Sequence, residues 1–352
     1  VKEELLMTEK IRIGVIGCGK ISQTRHLPEY AANPAVELMG YFDFSQPRAQ
    51  AIAAQYGGVA YDSLAALLAD PRIDAVSVCV ANRAHAQVAI QALKAGKHVL
   101  CEKPMATTMA DCEQMVAAAK AANKRLMIDQ NQRFAKSHQY AKKLLAEGII
   151  GDVLTFKSNF GHGGPETWSV DGGSNTWFFD KQQSQYGAIF DLGVHKLDLM
   201  RYLLDADVKE VSAKVVTLDK RHSDGKLIDV DDNAICSYVL SNGAVGTITS
   251  SWTYYGEEDN STVLYGTKGI MKLYTDPQYS IKIALRTGEK INYQVDAIQT
   301  NDHQTSSGVI DEFVSALQTH HQTISDASSV LGSMRGIFAS VEAGRLAQTV
   351  TL

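Results

Sequence analysis

The sequence predicts an α/β chain in two parts: a doubly wound parallel sheet over residues 10–130, then an α+β part over residues 131–352 built on a large open, mainly antiparallel sheet. Three observations carry this. Up to about Gln130, short β-branched runs alternate with alanine-rich stretches, the pattern of βαβ units. Several of those runs are apolar at consecutive positions, as strands covered by helices on both faces should be. After Gln130 the period changes to long alternating runs of Thr, Val, Ser and Tyr, punctuated by Asn-Gly and Lys-Gly turns that read as antiparallel hairpins.

The elements follow in order. Strands are expected at Ile11–Ile16, Val36–Phe42, a short one near Val59–Tyr61, then Asp74–Val80, His98–Cys101 and Arg125–Ile128. Helix-forming residues fill Ala49–Gln55, Leu64–Leu68, Ala84–Ala95 and Met109–Ala121, and Gly96 reads as a helix stop. In the second part a helix at Lys136–Glu147 precedes the strands. Two hairpins stand out, Cys236–Leu240 turning through Ser241-Asn242-Gly243 into Ala244–Trp252, and Thr262–Tyr265 turning through Gly266–Gly269 into Ile270–Tyr274. Helices are expected at Val194–Leu204, Val309–Leu317 and Ala327–Ala347.

Composition narrows the class. With 352 residues there is room for two domains of roughly 100–200 residues, each large enough for its own core. Five cysteines, an odd number with no C-x-x-C pair, point to a reducing compartment, and we expect a cytoplasmic protein without disulfides. The longest largely apolar run, Ala75 to Ala81, is far short of the ~18 residues of a membrane span, and no charged-then-apolar leader is read at the start. A net charge of −5 with no basic cluster lacks the electrostatic footprint for nucleic acid.

The run from Ile13 to Ser22, IGVIGCGKIS, ends an expected strand and opens an expected helix. Gly17 permits a tight turn. Gly19 lets a pyrophosphate approach the backbone, where free N–H groups at the helix start, in the stretch Cys18-Gly19-Lys20-Ile21, stabilise its charge. Ser22 stands at the third position, where Gly or Ala is usual. Alone, such a turn also serves as a plain strand–helix connection. Asp43, at the end of the second strand and 26 residues after Gly17, decides for a Rossmann dinucleotide site. Its carboxylate can accept both ribose hydroxyls and repels a 2′-phosphate, which favours NAD over NADP, with Arg48 as the nearby cation that works the other way.

Two further segments carry reactive groups. Lys103, in Glu102-Lys103-Pro104, stands at the carboxyl end of a buried parallel strand, the edge where such sheets bind ligands. Asp191 and His195 share one helical face in a stretch that includes Gly193 and Asp198. A solvated loop lysine and a capped core histidine are the bland readings. A metal site from Asp191, His195 and His162 is the other rival, but its spacing matches no full zinc template, and we expect no metal.

Together these segments resemble the glucose-fructose oxidoreductase / inositol dehydrogenase / MocA family of sugar and cyclitol dehydrogenases, from Ile11 to the last helix. Its Glu-Lys-Pro signature is matched by Glu102-Lys103-Pro104 and its D-x-G-x-H-x-x-D signature by Asp191, Gly193, His195 and Asp198. Asn82 and His85 fit the polar positions of T-P-N-x-x-H, with Val80 and Ala81 replacing its Thr and Pro. Asn131, Arg133 and Phe134 fit an N-x-R-F element. Departures fall at Gln185-Tyr186-Gly187, where glycines are usual, and at Trp177-Phe178-Phe179-Asp180 in place of W-R-x-D.

The resemblance implies an NAD-dependent polyol dehydrogenase, with Ala81, Asn82, His85 and Glu102 joining the cofactor site. Alcohol oxidation requires a base, and an imidazole accepts a proton near neutrality more readily than a lysine of pKa ~10.4. We therefore expect His195 to be the base, Lys103 to hydrogen-bond the reacting oxygen, Asp191 to orient the hydroxyl or the lysine, and Asp198 to be structural. Substrate contacts are expected from Asn131, Gln132, His162, Trp177 and Tyr254, with Tyr255 less so. With no arginine clamp for an acidic substrate, an uncharged cyclitol or hexose is expected, inositol (myo- or scyllo-) first. A non-catalytic dinucleotide-sensing regulator is the competing class. An uncovered face of the second sheet, including Ala244–Trp252, would favour a homo-oligomer, a dimer or a tetramer.

Overall fold

The computed structural model describes residues 10–170, 172–297 and 306–352. Six strands, β1 (Ile11–Ile16), β2 (Val36–Phe42), β3 (Val59–Ala60), β4 (Ala75–Val78), β5 (His98–Cys101) and β6 (Leu126–Ile128), form a sheet in the order β3-β2-β1-β4-β5-β6. Every pairing is parallel. This is the doubly wound fold expected from the sequence, and the strand order reverses between β1 and β4, which opens a crevice at their carboxyl ends.

Five helices connect these strands: α1 (Leu27–Ala32), α2 (Gln46–Tyr56), α3 (Leu64–Ala69), α4 (His85–Lys94) and α5 (Met109–Ala122). All four residues of β4 are buried, as a strand covered on both faces requires. On one face Ile16, Val76, Val78 and Val99 meet Leu67 of α3, Leu93 of α4 and Met115 of α5. The other face receives only α1 and α2 from the first 130 residues. Its remaining cover comes from far along the chain, where the helix Val309–Thr319 supplies Ile310, Phe313 and Val314 against Ile13, Val15 and Tyr30. The sequence pattern identifies that helix but not the sheet it covers, because its apolar stripe is compatible with either.

The second part adds α6 (Lys136–Ala146), β7 (Val153–Gly161), α7 (Lys181–Ser184), α8 (Val194–Leu204), β8 (Val208–Val216), β9 (Asn233–Leu240) and β10 (Val245–Ser251). It continues with β11 (Thr262–Gly266), β12 (Gly269–Leu273), β13 (Ile281–Leu285), β14 (Lys290–Tyr293), α9 (Val309–Thr319), α10 (Ala327–Leu346) and β15 (Val350–Thr351). The nine strands order as β14-β13-β12-β11-β7-β10-β9-β8-β15. Both expected hairpins form, β9–β10 and β11–β12. The sheet is mixed at one place, where β7 and β10 run parallel at its centre, because β7 enters between the two hairpins.

One face of this sheet packs Phe156, Val211, Tyr238 and Ile248 against Leu197 and Met200 of α8 and Ile337 of α10. The other carries alternating residues that no element among the described residues covers fully: Ile235 is 57% exposed and Val245 42%. All five cysteines are buried and unpaired. Among the described residues, no helix is long and apolar enough to cross a membrane.

Candidate active site

The glycine turn follows β1 directly. Gly17 has φ +92, and a Cβ there would lie 2.4 Å from the main-chain oxygen of Cys79, so the position admits only glycine. A Cβ on Gly19 would meet nothing within 4 Å, leaving its outer side open for a ligand. The Cys18 N–H donates to Asp43 Oδ2 at 2.7 Å and the Ser45 N–H to Oδ1 at 2.8 Å, with Arg48 3.5 Å away. Asp43 therefore ties the turn to the end of β2 as well as facing the crevice. Ser22 donates its hydroxyl to the Gly17 carbonyl at 2.8 Å, so the unusual third residue braces the turn from a π-helical start, Ser22–His26. The Cys18 thiol points into the core, where burial pushes its pKa up to about 12.

From this turn a cavity of about 870 Å³ runs along the carboxyl ends of the first sheet to the second sheet. Lys20, Ile21, Asp43, Ala81, Asn82 and His85 line one end. Of these, His85 is held between two main-chain carbonyls, Pro104 at 2.7 Å and Val80 at 3.0 Å, and so fixes two strand-end loops together. Glu102 also lines the cavity, but its oxygens are engaged within the protein, Oε1 with His26 at 2.9 Å and Oε2 with the Lys103 N–H at 3.1 Å. Beside it Asp129 is pushed up to about 8 by burial and by the Glu102 charge. Among the described residues, His26, Glu102 and Asp129 are the group close enough to share a metal ion, whereas Asp191, His195 and His162 do not form one.

At the middle of the cavity Lys103 Nζ donates to the main-chain oxygen and to Oδ1 of Asp191, both at 2.8 Å. The other carboxylate oxygen accepts the Trp252 indole N–H at 3.0 Å and lies 3.8 Å from His162 Nε2. Burial opposes ionisation of Asp191, but Lys103 and His162 outweigh it and hold the carboxyl below its usual range. His162 Nδ1 accepts the Gly164 N–H at 2.9 Å, which leaves its proton on Nε2, facing Asp191. The preceding segment, Ile189–Gly193, is a π-helical turn that puts Asp191 at the mouth of α8. His195, one turn later, is buried, and its Nδ1 has no hydrogen-bond partner among the described residues. Burial first, then the charges of Lys103, Arg25 and Lys196, lower its pKa well below 6.5.

Asn131, Gln132, His162 and Trp177 line the far end, where Gln132 Nε2 donates to Asn260 Oδ1 at 3.1 Å and Trp177 stacks on Phe178 at 3.9 Å between centroids. Tyr254 does not line it: its ring lies over Gly161, 2.3 Å from where a Cβ would be. Tyr255 turns outward, its hydroxyl 2.5 Å from Asp219. Asp198 forms a buried bidentate pair with Arg133 at 2.6 and 2.7 Å, away from the cavity. Sequence reasoning missed Phe44, 91% exposed at the crevice rim, and Trp168, His138 and Asn260 in the cavity wall. Phe44 follows Asp43 directly and so was within reach of a local reading, whereas the other three are brought in only by tertiary packing.

Residues 11–130 match the family model "Oxidoreductase family, NAD-binding Rossmann fold", and residues 138–272 match "GFO/IDH/MocA C-terminal domain". A dTDP-3,4-didehydro-2,6-dideoxy-alpha-D-glucose 3-reductase of Streptomyces violaceoruber is 30% identical over 262 residues, 72% of each chain. The chain belongs to the GFO/IDH/MocA oxidoreductase family. Another family relative, the myo-inositol 2-dehydrogenase of Thermotoga maritima, is 29% identical over 260 residues, 74% of each chain. The crystal structure of aldose-aldose oxidoreductase from Caulobacter crescentus, complexed with glycerol, matches 98% of this chain and 100% of its own with a TM-score of 0.84 at 26% identity. NAD is the cofactor of this GFO/IDH/MocA protein, and the turn fits it. A pyrophosphate would fit on the open side of Gly19, and the Asp43 carboxylate, which lines the cavity, would receive ribose hydroxyls.

Proposed function

We propose that this protein oxidises a secondary hydroxyl of an uncharged cyclitol or sugar to the ketone, with inositol (myo- or scyllo-) as the first substrate to be tried and an aldose as the alternative. The observation that carries the reading is the contact of Lys103 Nζ with Asp191 in a cavity that reaches from the glycine turn to His195. NAD, when bound, supplies the hydride acceptor. The chain must remove the hydroxyl proton, and the His195 imidazole, kept neutral by burial and the surrounding cations, is the base. Lys103 donates a hydrogen bond to the reacting oxygen and offsets the negative charge that develops there. Asp191 keeps the lysine in place, and His162 and Trp252 keep Asp191 in place.

On this reading residues 10–130 hold the cofactor and residues 131–352 hold the substrate and the subunit contact. The uncovered sheet face with Ile235 and Val245 is the surface for homo-oligomer formation, and a monomeric mass by light scattering at micromolar concentration would refute it. The reaction is tested with a panel of inositols and aldoses plus NAD, followed by absorbance of the reduced nicotinamide. Turnover of a polyol supports the reading. Tight NAD binding with no turnover on any of them would make the protein a dinucleotide-sensing regulator.

A further inference from the structure

His138 lies in the first turn of α6, is 2% exposed, and forms part of the cavity wall beyond Gln132. Its Nδ1 is 2.7 Å from the main-chain oxygen of Gln132. A carbonyl oxygen can only accept, so the ring proton sits on Nδ1 and Nε2 carries a bare lone pair. That Nε2 is buried and has no hydrogen-bond partner among the described residues. Buried acceptors without a partner are rare in folded proteins and costly to keep. The ring cannot turn away to find one, because it packs edge-on against Tyr274 at 5.2 Å, and the Tyr274 hydroxyl is itself held by Asp296 at 2.8 Å. Nor does protonation relieve it, since burial and the Lys196 charge push its pKa down to about 3.

Gln132, also in the cavity wall, carries a second unpartnered acceptor. The Gln132 amide nitrogen is engaged with Asn260, and the Gln132 Oε1 is buried without a partner. Lys196, fully buried, fixes Asn260 from behind by donating to its main-chain oxygen at 2.9 Å. Two residues of the cavity wall, His138 and Gln132, therefore each hold a buried acceptor atom without a partner among the described residues.

We propose that His138 Nε2, with Gln132 Oε1, is an acceptor subsite that takes the proton of a substrate hydroxyl remote from the reacting carbon, and so sets which polyol the enzyme selects. It rests on the polyol reading above and goes further, naming the group recognised and the residue that recognises it. A hydroxyl satisfies the subsite by donating into it. A hydroxyl has one proton to give, and it goes to His138 Nε2; a deoxy position leaves that acceptor unpaired, and an O-methyl group offers it no proton. Such remote binding acts equally on ground state and transition state, so its loss raises KM and leaves kcat nearly unchanged.

The test is His138→Asn, whose side-chain N–H keeps the bond to the Gln132 carbonyl but which has nothing at the Nε2 position. Thermal midpoint and NADH affinity establish that the fold is intact. Wild type and variant are compared on myo-inositol, D-glucose and the set of monodeoxyglucoses, by turnover and by calorimetric titration onto the NADH-loaded enzyme. The expected result is that one deoxy position costs the wild type roughly tenfold or more in KM, and that the variant no longer distinguishes that compound from its parent. His138→Gln, whose amide oxygen reaches toward the Nε2 position, should retain part of the discrimination, and it carries the test if the Asn variant fails to fold. Turnover with an equal loss on every compound overturns the subsite and leaves the dehydrogenase reading standing. Binding with that deoxy dependence but no turnover does the reverse. Neither binding nor turnover with any compound overturns both.

Discussion

Lys103 Nζ lies 2.8 Å from the main-chain oxygen of Asp191 and 2.8 Å from its Oδ1, joining the end of β5 to the mouth of α8 across 88 residues of chain. The two hydrogen bonds do different work. The one to the carbonyl fixes where the lysine points whatever the charge of the carboxyl, and the one to Oδ1 couples it to a carboxylate already steered by Trp252. The reacting groups of the proposed chemistry are thus assembled only where the first sheet's carboxyl edge meets the second part of the chain.

The two glycines of the turn should fail in different ways. Gly17→Ala puts a Cβ within 2.4 Å of the Cys79 oxygen at a φ of +92, so the turn must move, and we expect lower thermal stability even without cofactor. Gly19→Ala meets no protein atom within 4 Å. Its thermal midpoint should match the wild type while NADH affinity by fluorescence titration falls by tenfold or more. Loss of stability in the Gly19 variant would show that its outer side is not reserved for the cofactor.

Cofactor choice follows from Asp43. We expect at least a roughly tenfold preference for NAD over NADP, about 1.4 kcal/mol. Asp43→Ala should narrow that ratio, but it also removes the acceptor for the Cys18 and Ser45 N–H groups, so affinity for NAD itself should drop. Steady-state kcat/KM with each cofactor checks both parts. Equal use of the two by the wild type would mean that Arg48, 3.5 Å from the carboxylate, outweighs it.

Much of this was legible in the residues, for identifiable reasons. Strands β1, β2 and β5 begin and end where the sequence places them, because each is a short run dominated by apolar and β-branched residues and bounded by turn residues. Gly17, Asp43, Lys103, Asp191 and His195 were legible because each belongs to a short motif whose spacing is itself the signal. Tyr254 and Tyr255 had no such motif. Only a place near a late strand points to them, and one packs over Gly161 while the other pairs with Asp219. His138 was invisible for the opposite reason: its proposed role depends on a carbonyl six residues back and on Tyr274 just past β12, and nothing local marks it. The placement of α9 on the first sheet is of the same kind.

Asp198 carries a stability prediction. With Arg133 it forms a bidentate pair at 2.6 and 2.7 Å, with side chains 2% and 5% exposed, and it also accepts the Ser333 hydroxyl at 2.6 Å. Arg133 in turn donates to the Ile324 carbonyl at 2.5 Å, so one pair pins the Asn131–Phe134 crossing, α8 and the approach to α10. Asp198→Ala leaves a buried guanidinium without its counter-charge and should cost about 3–5 kcal/mol. Urea unfolding checks it. A loss of under 1 kcal/mol would mean the pair is replaced by water without strain.

The last prediction separates the roles of the two reactive side chains by their pH dependence. Only neutral imidazole accepts a proton, so alcohol oxidation should fall as pH drops through the pKa of His195. That pKa is held well below 6.5, by burial first and then by the Lys103, Arg25 and Lys196 charges, so the acidic limb of kcat/KM should lie on the acid side of 6.5 and activity should be flat through neutrality. His195→Ala should lose most turnover together with that limb, while NADH affinity stays near the wild-type value. Lys103→Met should also lower turnover, but it removes one of the charges that disfavours imidazolium, so its limb should survive and move to higher pH. The comparison is a kcat/KM profile for each variant from pH 4.5 to 9. If the limb persists in the His195 variant and disappears with Lys103, the lysine is the base and the histidine only positions it.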